Sequence, residues 1–277
     1  MIGLYARQIP PQELTRYVKA FYVADVPDLT MDIVSPPTGY PLLGLIWRGF
    51  NGAELEGEPQ QFGTGRMRHF SGQLYRKRAL VRWKGGIGHA IAEFTATGLF
   101  ELFGVPGEQL INTTRSVYDL HPTFDRDLAA KTSGCIDAQD YVAALQIALT
   151  SQVAHAQQAP AILLNAIKMM EKAHGAIRIS DVTAAYHAKE RTFSTAFKSV
   201  VGLTPKYFCR IMQFNYVGQL ILSGGGDDLA DLATEAGFFD QAHFTRAFQE
   251  FAAQSPQAFM KSDEVNLSTF IRLIDKS

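Results

Sequence analysis

Hydrophobic and polar positions follow different patterns in the two halves of the chain. Up to about residue 119, short runs of β-branched and aromatic residues are separated by Gly and Pro, which is typical of strands. These runs predict strands over residues 42–47, 73–83 and 87–94. From residue 160 onward, the apolar spacing is typical of helices alone. The pattern therefore predicts an α+β chain, with a β-rich barrel or sandwich-like domain that carries helices, followed by an all-α domain.

Two longer helices are predicted in the N-terminal half, over residues 11–21 and 138–157. Four apolar residues of the second helix recur at intervals of four, which places them on one face. They are Tyr141, Leu145, Leu149 and Val153. This stripe is able to pair two subunits as a homodimer or to pack against the sheet of its own chain. The pattern leaves both alternatives open.

Length and one proline predict how the chain divides. A chain of 277 residues exceeds the usual size of a single domain. Pro160 stands between two helical stretches, where it ends one element and begins the next. We therefore predict an N-terminal domain over residues 1–158 and a C-terminal domain over residues 159–277.

Composition narrows the class of protein. The chain is 47% hydrophobic and 19% charged, and no apolar run approaches the ~20 residues that span a bilayer. The first residues lack the basic start and apolar stretch of a secretory signal. Cys135 and Cys209 are far apart, so neither a disulfide framework nor a metal site is predicted. We expect a cytoplasmic protein with no membrane segment, metal or cofactor.

The C-terminal half contains one motif twice. A short helix over residues 181–186, a tight turn and a second helix over residues 190–200 form a helix-turn-helix. A longer helix begins at Pro205, and a second unit then ends in a helix over residues 241–251. The second helices carry matched phenylalanines, Phe193 with Phe197 and Phe244 with Phe248. Joined in this way, two recognition helices could enter successive major grooves, which lie ~34 Å apart on B-DNA.

Three stretches of the C-terminal half are similar to a known family. They are residues 229–233 (LADLA), 237–248 (GFFDQAHFTRAF) and 255–256 (SP). These stretches resemble the AraC/XylS family of transcription regulators, and the resemblance covers roughly residues 162–261. Residues 97–106 (TGLFELFGVP) also resemble N-terminal domains found on some members of this family.

The resemblance implies a sequence-specific, DNA-binding transcription regulator rather than an enzyme. Its C-terminal domain would bind double-stranded DNA, and its N-terminal domain would bind a small-molecule effector or pair subunits. RNA polymerase is a further partner that the resemblance suggests. No catalytic residue is implied.

The resemblance also assigns candidate DNA-binding residues to the two recognition helices. They are Lys189, Arg191, Ser194, Thr195 and Lys198 in the first unit, and Gln241, His243 and Arg246 in the second. The family's base-contacting positions fall on Arg191, Ser194, Thr195, Ala242, His243 and Arg246. Arg246 is the strongest candidate, because a guanidinium is able to bind guanine O6 and N7 together, which discriminates by ~1–3 kcal/mol.

The two units depart from the family's pattern in different ways. The first has His187 where the family usually has Gly and Lys189 where it usually has a Ser cap, whereas the second keeps Gly237 and Asp240 for these purposes. Residues 178–210 carry six basic and two acidic side chains, and residues 227–250 carry one basic and six acidic side chains. We expect the first unit to supply most of the affinity for phosphate.

The N-terminal half offers weaker candidates for an effector site. Residues 66–84 contain seven basic side chains and no acidic one, which suits either an anionic effector or a charged, solvated sheet face. Aromatic residues in nearby strands suit either an apolar cavity or an ordinary core. The candidate effector-binding residues are Trp47, Arg76, Arg78 and Trp83.

Two other classes of function compete with the regulator. A small-barrel enzyme is disfavoured because the chain has no phosphate-binding Gly loop or nucleophile elbow, although His69, His89 and Glu93 could meet across strands as metal ligands. An interaction protein that kept the fold but lost DNA binding is suggested by the acidic second unit. A salt-sensitive complex with DNA would exclude the interaction protein.

Overall fold

A computed structural model gives the fold, and it describes residues 5–60, 67–222, 229–238, 240–252 and 254–261. The N-terminal half forms an antiparallel sheet with helices, and the C-terminal half is helical, as the apolar pattern predicts. No helix in the described ranges is long and apolar enough to cross a membrane.

Eight antiparallel strands form one sheet in the described part of the N-terminal half. In chain order, β1 to β8 are Ala6–Gln8, Val18–Val26, Met31–Ser35, Leu42–Leu55, Glu58–Gln60, Met67–Ser71, Ala79–Phe94 and Thr114–Ser116. The main path through the sheet is β1-β2-β7-β4-β6-β8, while β3 pairs with β7 and β5 with β4. The two longest strands, β4 and β7, therefore lie at its centre.

Eleven helices are described along the chain. In order, α1 to α11 are Gly98–Phe103, Val117–Leu120, Pro122–Thr132, Ala138–Gln152, Ala161–Lys172, Ile179–Ala184, Glu190–Val201, Pro205–Leu222, Leu229–Glu235, Gln241–Ala252 and Pro256–Lys261. Short 3-10 helices occupy Gln12–Leu14, Gly107–Leu110 and Val153–His155. Among the described residues, the last strand, β8, ends at Ser116, and α2 to α4 follow it before α5. The domain boundary after residue 158 stays a prediction.

The central strands bend where glycines face each other. Gly49 of β4 and Gly86 of β7 both have positive φ, 78° and 112°, which favours glycine over other residues. A Cβ on Gly49 would overlap the carbonyl of Gly86, so the two backbones approach too closely for any side chain. The register of the β4–β7 pair shifts at this point. The bends curve the sheet and give it a concave face.

The opposite face of the sheet packs against the helices. Alternate residues of the central strands, such as Leu43, Ala90 and Phe94, share a core with α4. In α4, the predicted stripe lies in this core through Tyr141, Leu145 and Leu149. The stripe therefore packs against the sheet of its own chain, which is the second of the two alternatives. It does not support the pairing of two subunits.

Two N-terminal elements differ from their predictions. Residues 11–21 are not one helix: a 3-10 helix at Gln12–Leu14 is followed by β2. Both faces of β2 are buried, so its sequence lacks the polar alternation that indicates a strand. The predicted strand over residues 73–83 begins only at Ala79, because Arg76 takes a left-handed backbone (φ 55°) that interrupts extended structure.

One buried carboxylate fixes the connector between the two halves. Glu101 of α1 is fully buried and accepts hydrogen bonds from the Arg16 guanidinium at 2.6 Å and from the Thr97 hydroxyl at 3.0 Å. Glu101 also accepts the Ala159 backbone N–H, and its carbonyl oxygen accepts the Gln157 N–H. A buried charge needs such partners. The chain just before α5 is thereby held against the N-terminal half.

Candidate DNA interface and effector cavity

The first helix-turn-helix unit consists of α6, a turn and α7. Phe193 and Phe197 of α7 are buried, and His187 in the turn has a left-handed backbone (φ 51°). Lys189 stands at the N-cap of α7 and makes no side-chain cap hydrogen bond. The α7 helix ends at Gly202, which also has a left-handed backbone.

The candidate DNA-binding residues of the first unit lie on the outer side of α7. Lys189, Arg191, Thr195 and Lys198 are exposed, and Ser194 is half-buried. The Thr195 hydroxyl donates to the Arg191 carbonyl at 3.0 Å. Among the described residues, none of the three basic side chains forms an ion pair, so each is available to a phosphate or a base.

The second unit consists of α9, a turn and α10. Gly237 in the turn has φ 73°, and the Asp240 carboxylate accepts the His243 backbone N–H at 2.6 Å as an N-cap, as predicted. Gln241, His243 and Arg246 are exposed. Ala242, on the same turn of α10, is also exposed. The predicted N-cap of α9 at Asp227 or Asp228 lies outside the described residues.

The long helix α8 joins the two units. The Arg210 guanidinium pairs with Glu250 of α10 at 2.5 Å. The Gln213 amide donates to the Ala236 carbonyl at 3.1 Å, and the Tyr216 hydroxyl donates to Glu235 at 2.9 Å. These contacts fix the second unit on one side of α8.

Sequence comparison assigns this part of the chain. Residues 182–262 match a family model described as a helix-turn-helix domain. The C-terminal region is an AraC-type helix-turn-helix domain. Domains of this type bind DNA in transcription regulators, and the chain is placed in that functional class.

Several solved structures of regulators are similar to the chain. The C-terminal domain of AraT, a response regulator from Geobacillus stearothermophilus, is 17% identical with a TM-score of 0.36, over 39% of this chain and 93% of that chain. ToxT from Vibrio cholerae is 10% identical with a TM-score of 0.47, over 87% and 97%. ToxT with a bound unsaturated fatty acid is 13% identical with a TM-score of 0.48, over 87% and 94%. No curated protein matches the chain in sequence.

The concave face of the sheet lines a partly open cavity of about 170 Å³. Its walls come from β3, β4, β6 and β7 and are mostly apolar, with Ile33, Ile46, Phe50, Val81 and Trp83 among them. The described lining contains no Lys or Arg side chain. We call this space the effector cavity.

Two histidines face each other in the effector cavity. His69 of β6 and His89 of β7 lie on either side of Gly44 of β4, with ring centroids 6.2 Å apart. A Cβ on Gly44 would lie 2.6 Å from His69 Nε2 and 3.0 Å from His89 Nε2, so the glycine makes room for both rings. Burial lowers the pKa of His69 to about 4. Burial and the nearby His69 also hold the pKa of His89 well below its usual value, so both imidazoles are neutral.

Of the three suggested metal ligands, His69 and His89 come together but Glu93 does not join them. Glu93 lies farther along β7, where the Tyr22 hydroxyl donates to it at 3.5 Å. Burial raises the pKa of Glu93, which disfavours its charged form. Within the described ranges, no group of three or more His, Cys, Asp or Glu side chains is placed to hold a metal ion.

Of the four candidate effector-binding residues, only Trp83 lines the effector cavity. Trp47 lies on the other side of the sheet, where its ring stacks on Tyr141 at 4.0 Å. Arg76 points its guanidinium over the Tyr75 ring, and Arg78 pairs with Glu56 at 3.7 Å. Four described members of the basic stretch, Arg68, Lys77, Arg78 and Arg82, pair with carboxylates, and none of them lines the effector cavity.

Ion pairs account for most of the basic stretch. Arg68 pairs with Asp125 at 2.6 Å, Lys77 with Glu58 at 3.7 Å, and Arg82 with Glu54 at 2.6 Å. The first member of the stretch, Arg66, lies outside the described residues. Apart from Arg68, whose partner Asp125 is buried, these pairs support a charged, solvated sheet face.

A short segment, residues 38–40, connects the effector cavity with α8. Thr38 and Tyr40 line the cavity. The Thr38 carbonyl accepts the Asn215 side-chain amide at 2.9 Å, and the Tyr40 hydroxyl donates to Glu171 of α5 at 2.7 Å. The Tyr40 ring also packs edge-on against Phe208 of α8. One short stretch thus contacts both the cavity and the helix that joins the two units.

Proposed function

We propose that this protein is a sequence-specific DNA-binding transcription regulator, and that a small molecule bound in the effector cavity controls it. One observation supports control by a ligand. Thr38 and Tyr40 line the cavity and also bond to Asn215 and Glu171 of the DNA-binding region. A ligand that moves this segment would act directly on α8 and α5. The relative placement of the two recognition helices would change with it.

The DNA-binding part of the proposal rests on exposed polar side chains. Arg191 and Lys198 on α7 and Arg246 on α10 face outward from helices whose phenylalanines are buried. This is the arrangement in which a recognition helix enters the major groove. We propose that Arg191 and Arg246 contact bases, and that Lys189 and Lys198 neutralise phosphate.

The N-terminal half also contacts the first unit directly. The Ser199 hydroxyl at the end of α7 donates to Glu108 at 3.2 Å, and the Arg76 backbone N–H donates to the Tyr207 hydroxyl of α8 at 2.8 Å. A Cβ on Gly107 would lie 2.6 Å from the Val200 carbonyl oxygen, so the backbones are in close contact. A change in the N-terminal half would therefore reach the first unit without an intermediate.

DNA binding is tested with the purified chain on duplex from upstream of its own gene, against random duplex, over a series of salt concentrations. We expect specific binding that Arg191→Ala and Arg246→Ala both weaken. Loss of all specific binding in the wild-type chain, at every salt concentration, would support the alternative of an interaction protein. The acidic residues of the second unit are the feature that favours that alternative.

Coupling is tested away from the DNA interface. Tyr40→Phe keeps the ring against Phe208 but removes the hydroxyl that bonds to Glu171, and we expect a severalfold change in DNA affinity. Gln139→Ala is the control, because Gln139 is exposed and bonds to Gln8 within the N-terminal half. Equal DNA affinity of Tyr40→Phe and Gln139→Ala would count against this route.

A further inference from the structure

The lining of the effector cavity constrains the charge of its ligand. The described lining holds no basic side chain, and its one carboxylate, Glu54, already pairs with Arg82. A buried anion would therefore meet apolar side chains and neutral imidazoles, without a cation to offset its lost hydration. An uncharged ligand carries no such penalty.

The volume of the effector cavity constrains the size of the ligand. An engineered apolar cavity of about 150 Å³ accepts benzene. At about 170 Å³, this cavity has room for one ring with a small substituent. The side chains of Phe50 and Trp83 provide aromatic surface for such a ring.

The hydrogen bond of Tyr5 assigns the proton of His89. The Tyr5 hydroxyl lies 2.9 Å from His89 Nδ1, and no other described group is its hydrogen-bond partner. Because the Tyr5 hydroxyl has no other acceptor among the described residues, its hydrogen is satisfied only when it donates to Nδ1. The single proton of the neutral His89 ring is then on Nε2.

His89 Nε2 is buried and has no hydrogen-bond partner among the described residues. A buried N–H donor without an acceptor is costly, and a ligand oxygen that accepts from it removes the cost. A Cβ on Gly44 would lie 3.0 Å from this nitrogen and 2.6 Å from His69 Nε2, and both rings line the cavity. The Nε2–H group of His89 is thus a single hydrogen-bond donor in a mostly apolar wall, and the sequence patterns did not indicate it.

We propose that the effector cavity binds a small, uncharged, ring-containing molecule whose carbonyl oxygen accepts a hydrogen bond from His89 Nε2. This inference rests on the proposed function, because it names the class of ligand that occupies the same cavity. Ketones, aldehydes, lactones and uncharged amides of this size belong to the class, and carboxylates do not. Trp83 lies in the wall and its fluorescence reports occupancy.

Three probes with the same number of non-hydrogen atoms test the proposal by titration of the full chain: acetophenone, α-methylstyrene and benzoate. The first two differ only in having C=O or C=CH₂. For each variant we take the ratio of their dissociation constants, and comparing this ratio between variants cancels the difference in their solubility. We expect His89→Leu to shift this ratio about tenfold toward α-methylstyrene, and His89→Gln, which keeps an N–H donor, to shift it far less. Benzoate should bind at least about tenfold more weakly than acetophenone.

Tyr5→Phe provides a second variant that keeps the ring in place. It removes the hydroxyl that fixes the His89 proton on Nε2, so the ratio should move in the same direction by a smaller amount. An unchanged ratio in both His89→Leu and Tyr5→Phe would overturn the proposal. Tightest binding by benzoate, or no saturable binding by either uncharged probe, would also overturn it.

The DNA affinity of each variant is measured separately without probe. Probe binding that follows the expected order, in a chain that shows no specific DNA binding, would leave the ligand class standing while the proposed function fails. Specific DNA binding together with the wrong order of probe affinities would leave the DNA-binding function standing while the proposed ligand class fails. The two failures are therefore distinguishable.

Discussion

In the first helix-turn-helix unit, α7 follows an uncapped Lys189 and a left-handed His187, whereas in the second, α10 follows an Asp240 cap and Gly237. The second unit has a glycine at its left-handed turn position and a capping side chain at the start of its second helix. The first unit has neither. The first unit has instead the basic side chains that suit phosphate. The first unit thus combines an uncapped helix and a strained turn with basic side chains, while the second combines a capped helix with mostly acidic ones.

The two units also differ in what holds them. The first touches the N-terminal half through Ser199 and Glu108, and the second is fixed to α8 through Arg210 and Glu250. Under the proposed function, a signal from the N-terminal half would reach the unit with the greater positive charge. Since that unit would supply most of the affinity, a small displacement there would change binding more than one in the second unit.

The largest expected effect is the loss of positive charge from the first unit. Lys189→Ala with Lys198→Ala should weaken binding to specific and random duplex alike, by about a hundredfold at moderate salt, and lower the salt slope by about 2. Fluorescence anisotropy over a salt series measures both quantities. Lys84→Ala, at an exposed site on β7, is the control. If the control lowers the slope equally, net charge rather than α7 is responsible.

The next effect concerns specificity in the second unit. Arg246→Ala should cost about 1–3 kcal/mol of binding to the specific duplex and little on random duplex, because a bidentate contact to guanine is lost. Arg246→Lys keeps the charge but not the planar fork, and should lose nearly as much. Competition with random duplex measures the difference. Equal loss on both duplexes would make Arg246 a phosphate contact instead.

Much of this comparison was predictable because it rests on local sequence. The paired phenylalanines, Gly237 and Asp240 lie within a few residues of one another, so spacing alone places them on the correct face or turn. By contrast, residues 18–21, which begin β2, were predicted as the end of a helix, because both faces of this strand are buried and no polar alternation remains.

The effector cavity could not be predicted in this way. His69 and His89 meet only through the register of β6 and β7 against β4, which no local pattern encodes. Tyr40 and Asn215 come from different halves of the chain. Trp83 was found because aromatic residues in strands are common in cavity walls, and the same argument selected Trp47, which packs on the opposite face.

The turns provide the next test, on stability rather than on binding. Gly237→Ala should lower the free energy of unfolding by about 2 kcal/mol, because φ is positive and the new Cβ would lie 2.6 Å from that of Ala176. His187→Gly should raise it by up to about 1 kcal/mol, because glycine takes the left-handed backbone without strain. Urea unfolding measures both. Destabilisation by His187→Gly would mean that the imidazole makes a favourable contact that outweighs the strain.

The smallest effects are expected at the two N-caps, where stability and binding should move in opposite directions. Asp240→Ala should cost about 1 kcal/mol of stability, because the His243 N–H loses its acceptor. Lys189→Ser should add about 0.5–1 kcal/mol, because a hydroxyl at that position accepts an N–H that no side chain now accepts. The same substitution removes a positive charge, so DNA affinity should fall severalfold. If Lys189→Ser gains stability and keeps its DNA affinity, then the positive charge at this position does not explain why the cap is missing.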